Sequence, residues 1–216
     1  MGLNKLSLPW REKTLFEHGL NTLLRSNVKK VVVVLNDPMR EKRGLFPQKK
    51  VEVVINPYYK KGMSTSIRRG IQELNSKSDG ILIALGDQPF LKTRTINALI
   101  KAFINGKGMI IVPTFKGRRG HPVIFHRKYE KELLRLRGDV GGKTLMEKHP
   151  NEVRLVPVKS EGVIKDIDTW EDYLSLFPST GACLREAASA KAGEGMKGRG
   201  KSLQKRGKDD IGQENI

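Results

Sequence analysis

Short apolar runs alternate with segments in which apolar residues recur at helical spacing. The run at residues 31–35 is β-branched and continuous, which is typical of a strand buried on both faces. Similar runs predict strands at residues 51–55, 81–85, 109–112, 123–125, 153–158 and 163–167. Residues 64–74 place Ile67, Ile71 and Leu74 on one stripe, and comparable spacing predicts helices at 14–24, 95–104, 128–137, 142–149 and 170–176. This alternation predicts an α/β fold with a mostly parallel sheet.

Two aspartates directly follow predicted strands. Asp87 comes after residues 81–85, between Gly86 and a strand-ending proline, and Asp168 comes after residues 163–167. Since ligands bind beyond the carboxyl ends of parallel strands, both carboxylates are candidate magnesium ligands. An ordinary turn explains Asp87 equally well, and a helix cap formed by Asp168 or Thr169 explains the second site. If residues 163–167 form a strand, Asp166 and Asp168 point to the same face.

Three glycine-containing loops are candidate anion sites. Residues 62–66 precede a predicted helix, whose free N–H groups bind an anion or are capped by a serine. Residues 117–122 include Arg118, Arg119 and His121, and residues 138–143 open another helix. For both of these loops, a solvated surface loop is the alternative.

The net charge restricts the classes of binding partner to be considered. The 216-residue chain has a formal net charge of +18. Residues 178–216 carry 8 Lys/Arg and 5 Asp/Glu, so residues 1–177 carry +15 of the total. This excess favours phosphorylated ligands, nucleic acid or an anionic membrane. Aromatic residues are only 6% and do not alternate with basic ones, which disfavours nucleic acid. No apolar stretch approaches the length of a membrane span, and the start has no leader-like apolar segment.

The chain divides at about residue 177. Residues 178–216 contain 7 Gly but no aromatic residue and no Val, so we expect a disordered, basic, low-complexity tail. A single Cys183 excludes an intramolecular disulfide, and we expect a reduced, cytoplasmic protein.

Six segments occur in an order that resembles one family. They are residues 1–10, Asn56 to Gly70, Gly86 to Leu91, Gly120 to Val123, residues 138–142 and Asp166 to Thr169. Together they resemble the molybdenum cofactor cytidylyltransferases, which are nucleotidyltransferases of the glycosyltransferase-A-like, three-layer α/β/α fold. The resemblance covers residues 1–177.

The resemblance implies transfer of CMP from CTP to molybdopterin bearing molybdenum, with release of pyrophosphate. It implies that Asp87 and Asp168 bind Mg²⁺, that Lys5 neutralises the triphosphate, and that Gly62 and Ser66 line the base pocket. Further substrate contacts are expected from Asn56, Ser64, Arg68, Gly86, Arg118, Arg119 and His121, with the arginines chosen on charge alone. An apo-molybdenum hydroxylase is a possible acceptor of the product.

The sequence departs from the family pattern in two places. The family's signature begins with a strand and a loop of the form Leu-Ala-Ala-Gly-x-Ser-x-Arg ahead of the equivalent of Met1, and this segment is absent here. Without that central strand we expect two unpaired strand edges, a void in the core and impaired activity. Trp170 stands where the family usually has proline at the first helical position, which keeps the turn possible.

Three other functions remain open from the sequence. One is a nucleotidyltransferase that uses GTP or another phosphorylated acceptor. Another is a non-catalytic protein that binds molybdenum cofactor and inserts it into a hydroxylase. The third is a nucleic-acid-binding protein, which rests on charge alone.

Overall fold

The computed structural model describes residues 5–36, 50–74, 78–106 and 108–177. The proposed tail at 178–216, with Cys183, lies outside the described residues, as do residues 1–4. The described strands are β1 Pro9–Trp10, β2 Lys13–Thr14, β3 Val31–Asn36, β4 Val51–Asn56, β5 Gly80–Ile83, β6 Ile110–Phe115, β7 Arg118–Arg119, β8 Val123–His126 and β9 Val153–Pro157. The described α-helices are α1 Leu15–Leu24, α2 Met63–Gln72, α3 Thr93–Ile104, α4 Glu130–Arg135, α5 Lys143–Lys148 and α6 Trp170–Leu174.

Helix boundaries follow from local capping. Thr14 caps α1: its side chain accepts from the Glu17 N–H, and the Glu17 carboxylate accepts from the Thr14 N–H. Thr169 and Asp172 form the same reciprocal arrangement at the start of α6, where Trp170 is the first helical residue. The prediction that Thr169 caps this helix is confirmed, which leaves the Asp168 carboxylate available for another role.

The α/β class is confirmed, and the sheet is mixed. β3 and β4 pair in parallel as one two-stranded sheet, and β6 and β9 pair in parallel within a second sheet. In that second sheet β8 lies antiparallel between β5 and β6. The chain returns from β6 to β8 through the short β7 hairpin and not through a helix, so β8 runs against its neighbours.

One sequence prediction of a strand is wrong. Residues 163–167 lie outside any described strand; Glu161–Val163 is a 3-10 helix and the chain then runs irregularly to Thr169. Val163 and Ile167 are fully buried, so their apolar character reflects packing and not pairing in a sheet. The expectation that Asp166 and Asp168 share a strand face therefore fails.

A cavity of about 640 Å³ separates the two sheets. All of β3 lines one side and all of β5 lines the other, with Leu6, Phe16 and Ile67 among the remaining apolar walls. Within the described residues β3 pairs only with β4, and β5 pairs only with β8. Each strand therefore presents one open edge beside the cavity, as the sequence analysis expected. We call this space the inter-sheet slot.

Within the described residues, no helix has the length and apolar character that crossing a membrane requires.

Candidate active site

Two carboxylates converge on one ammonium group near the inter-sheet slot, which is lined by the adjacent residues Leu6 and Gly86. The Lys5 Nζ lies 2.8 Å from Asp87 Oδ2 and 2.6 Å from Asp168 Oδ1. The three residues come from separate parts of the chain: a short 3-10 helix at Lys5–Ser7, the turn after β5, and the residue before the α6 cap. The sequence predicted these three as the catalytic group, and the structure brings them together.

The ammonium group of Lys5 is held in its charged form. Partial burial alone lowers the pKa of Lys5, but the hydrogen bonds and negative charges of Asp168 and Asp87 outweigh burial and raise the pKa above its ordinary value. Lys5 therefore carries a full positive charge at neutral pH.

The acidic pair suits a hard divalent cation. Both carboxylates already direct an oxygen to one cationic centre, and Asp87 Oδ1 is buried without a hydrogen-bond partner among the described residues. Oxygen donors are those that Mg²⁺ and Mn²⁺ prefer, and Mg²⁺ usually completes its shell with water and phosphate. Within the described residues, no group of three His, Cys, Asp or Glu that could hold a metal occurs.

Backbone contacts hold the segment carrying Asp168 against the turn carrying Asp87. The Ile167 N–H donates to the Asp87 carbonyl at 3.2 Å, and the His121 N–H donates to the Val163 carbonyl at 2.8 Å. Gly120 and Gly162 permit these approaches, because a Cβ would lie 2.1 Å from the Val163 carbonyl oxygen and 2.2 Å from the Phe90 carbonyl oxygen, respectively. The pair therefore sits on three mutually fixed segments.

His121 lies within the electrostatic reach of Asp87 and Asp166. Burial lowers the pKa of His121, and the charges of Asp166 and Asp87 offset only part of that effect. Its imidazole is therefore neutral at pH 7. The preceding residues Arg118 and Arg119 are exposed on β7, opposite Phe115 and Thr114 of β6.

A second polar cluster surrounds the start of α2. The Asn56 side chain donates to Thr65 Oγ1 at 2.8 Å and to Ser66 Oγ at 3.0 Å, which fixes the end of β4 against the helix. Ser64 is buried, and its hydroxyl has no hydrogen-bond partner among the described residues. Arg68 is half-buried one turn further along α2, and Gly86 lies close to Leu6 and Phe16 below the acidic pair.

The first N–H groups of α2 are engaged by another predicted loop. The Met63 N–H donates to Asp139 Oδ1 and the Ser64 N–H donates to the Gly138 carbonyl. Gly62 is the cap residue and has φ of 102°, and a Cβ there would lie 2.5 Å from the Gly138 and Asp139 backbone. The predicted serine cap is therefore wrong. The alternative of a free anion site at these two amides is also wrong, because residues 138–139 occupy them.

Sequence reasoning assigned no role to Gln88, which supports the site through a buried hydrogen bond. Gln88 is buried and donates through Nε2 to Asp166 Oδ1 at 2.7 Å. The position of Gln88 directly after a candidate ligand could have suggested a supporting role. Its hydrogen-bond partner could not be predicted, because it lies 78 residues away in the chain.

The fold is that of an α/β nucleotidyltransferase. Solved structures agree: Rv0371c from Mycobacterium tuberculosis H37Rv, in complex with manganese, is 27% identical with a TM-score of 0.67, covering 81% of this chain and 92% of that one. A nucleotidyl transferase from Methanothermobacter thermautotroptrophicus shares the fold at 21% identity and a TM-score of 0.66, covering 85% of this chain and 86% of that one.

The chain belongs to the MobA-like NTP transferase domain family, whose sequence profile matches residues 1–153. Two curated proteins are similar over 80% of this chain and 87% of their own length. One, 28% identical over 182 residues, is the purine catabolism protein PucB of Bacillus subtilis. The other, 27% identical over 181 residues, is named nicotine blue oxidoreductase of Paenarthrobacter nicotinovorans.

Proposed function

We propose that this protein is a magnesium-dependent cytidylyltransferase that transfers CMP from CTP to molybdopterin-molybdenum cofactor and releases pyrophosphate. The convergence of Asp87 and Asp168 on the Lys5 ammonium carries the proposal, because two carboxylates, the donor type that hard metal ions prefer, meet a fixed cation at one point. Membership of the MobA-like family supports the reaction class, and the resemblance of the ordered motifs supports CTP and the pterin acceptor.

The reaction forms one P–O bond and breaks another. A terminal phosphate oxygen of the acceptor attacks the α-phosphorus of the nucleotide, and the bond from that phosphorus to the bridging oxygen breaks, so that pyrophosphate leaves with the bonding electrons. Several negative charges must approach one another, which calls for positioning and charge neutralisation and not for covalent catalysis.

Each residue of the acidic pair has a definable task. Asp87 and Asp168 would hold the divalent cation, which supplies charge neutralisation to the nucleotide phosphates when bound. Burial lowers the pKa of Lys5, but its two carboxylate partners raise it by more, so Lys5 stays protonated. The charged Lys5 would neutralise the triphosphate. Arg118 and Arg119 are exposed on β7, shortly before His121, whose N–H donates to the Val163 carbonyl, and we propose that they contact the bound anion.

The base and acceptor contacts belong to the same proposal. Gly62 and Ser66 would line the base pocket, with Asn56 and Ser64 ordering the start of α2 beneath it. The buried Ser64 hydroxyl is available to a ligand, since it has no hydrogen-bond partner among the described residues. Arg68, Gly86 and His121 complete the proposed substrate contacts.

Pyrophosphate release tests the proposal. The purified chain is incubated with Mg²⁺, molybdopterin-molybdenum cofactor and each nucleoside triphosphate in turn, and we expect the fastest release with CTP. Asp87→Ala should abolish release, whereas Asp79→Ala, which removes an exposed carboxylate before β5, should not. Release that is equally fast in Asp87→Ala, or that prefers GTP, would refute the respective part of the proposal.

A non-catalytic role is favoured by one observation. The inter-sheet slot is lined by Leu6 and Gly86, the chain neighbours of Lys5 and Asp87, and the family's phosphate-binding loop would follow a first strand placed in that slot. A carrier that inserts the cofactor into a hydroxylase would bind molybdopterin without CTP, and Asp87→Ala would leave that binding intact. Calorimetric titration with the pterin, in the presence and absence of CTP, separates the two functions.

A further inference from the structure

We propose that Gln88 is a positioning residue, which fixes the distance between the Asp87 and Asp168 carboxylates by binding the chain two residues before Asp168. This inference rests on the proposed metal-binding role of the pair. It goes further by assigning the geometry of the pair to a side chain that does not touch the Lys5 ammonium.

The Gln88 side chain binds the segment that precedes Asp168. It is 2% exposed, and its Nε2 donates to Asp166 Oδ1 at 2.7 Å and to the Val163 carbonyl at 3.4 Å. A hydrogen bond to a carboxylate is among the stronger kinds, and the buried setting strengthens it further. Gln88 thus joins the turn after β5 to the irregular segment at residues 163–168.

The segment that leads into Asp168 is thereby held at two successive residues, Asp166 and Ile167. The Asp166 side chain is bound by Gln88, and the Ile167 N–H is bound by the Asp87 carbonyl. The Ile167 side chain is fully buried in a cluster with Leu8 and Tyr173. The Asp168 side chain is 64% exposed, and the Asp168 N–H donates to Asp172 Oδ2 at 3.1 Å, which binds the segment on the α6 side as well.

The cost of the arrangement indicates that it serves a purpose beyond packing. Gln88 Oε1 is buried and has no hydrogen-bond partner among the described residues, and such an orphaned acceptor destabilises a protein. An apolar side chain of similar shape avoids that penalty. A glutamine is favoured here only if its Nε2 contact matters, and that contact reaches the segment that carries Asp168.

The test measures Mn²⁺ binding without nucleotide, by electron paramagnetic resonance of the free ion. Gln88→Met keeps the length of the side chain and removes the donor, and we expect the Kd for Mn²⁺ to rise about tenfold, as for other residues that orient metal ligands. Gln72→Met, at an exposed position near the end of α2, is the matched control and should bind as the wild type does.

A second variant separates positioning from simple destabilisation. Asp166→Ala removes the acceptor of the same hydrogen bond at a half-buried loop position, so it should raise the Kd by a similar factor. If both act through one bond, the double variant should be no weaker than the weaker single variant. Multiplied losses in the double variant would overturn the inference.

The outcomes distinguish this inference from the proposed function. Mn²⁺ binding that is lost in Asp87→Ala yet unchanged in both Gln88→Met and Asp166→Ala overturns the role of Gln88 and leaves the acidic pair intact. Absence of Mn²⁺ binding in the wild type overturns both.

Discussion

The inter-sheet slot predicts that an added strand will stabilise this protein strongly. The perturbation is an extension ahead of Met1: an apolar, β-branched strand as long as β3, which has 6 residues, followed by a short glycine-containing turn. Leu6 lines the slot, and Lys5 binds Asp87 in the turn that follows β5, so a strand parallel to β5 would end near the point where the described chain begins.

The expected gain in stability is the free energy of burying apolar side chains minus the free-energy cost of ordering the added residues. Six apolar side chains, each contributing about 1.5–3 kcal/mol on full burial, supply about 13 kcal/mol. Ordering the same residues costs about 1.5 kcal/mol each, or about 9 kcal/mol. The net gain of about 4 kcal/mol corresponds to a rise in Tm of about 8–16 °C for a domain of this size. Hydrogen bonds to the two open strand edges add to this figure.

Thermal unfolding followed by circular dichroism measures the effect, with a Gly/Ser extension of equal length as the control. The apolar extension should raise Tm, and it should also raise pyrophosphate release from CTP if the strand orders the region around Lys5. Equal Tm values for the apolar and the Gly/Ser extensions would refute the reasoning, because the slot would then gain nothing from a strand.

Two further predictions concern single positions. Gly120→Ala should lower the free energy of unfolding by about 2–4 kcal/mol, since its Cβ would lie 2.1 Å from the Val163 carbonyl oxygen. Gly19→Ala, in α1, should raise that free energy by up to about 1 kcal/mol, because the nearest atom to its Cβ would lie 3.8 Å away. Urea denaturation compares the two variants, and equal effects would contradict the contact argument. Lys5→Met should be less stable than the wild type at pH 7–9: because the pKa of Lys5 is raised on folding, its contribution is complete below its ordinary value of 10.5 and is lost as pH rises through the higher folded value. Urea midpoints measured from pH 7 to pH 11 should therefore converge at the alkaline end, and a constant difference would be inconsistent with this linkage.

The sequence predicted the helices well because their signals are local. Leu15–Leu24 and Thr93–Ile104 carry apolar stripes and begin close to the predicted residues, since the stripe and the preceding residues specify a helix start without distant partners. The strand predicted at 163–167 failed because periodicity reports burial, and Val163 and Ile167 are buried by loops and side chains.

The site was predictable in its members but not in its supports. Asp87 and Asp168 could be found because each follows an apolar run, and Lys5 came from the family resemblance. The bond between Gln88 and Asp166, and the contact of Gly62 with residues 138–139, join segments that are 76 or more residues apart. Such contacts depend on the tertiary fold, and one sequence without its fold does not reveal them.

The close backbone crossings at Gly120 and Gly162 have a consequence for genetic experiments. Every missense change at either codon adds at least a Cβ, and at both positions that atom would collide with a backbone carbonyl oxygen. In a saturation mutagenesis screen scored on growth, both positions should tolerate no substitution, although neither contributes a functional group. A map of the active site drawn from such a screen would include two residues whose only requirement is to be small.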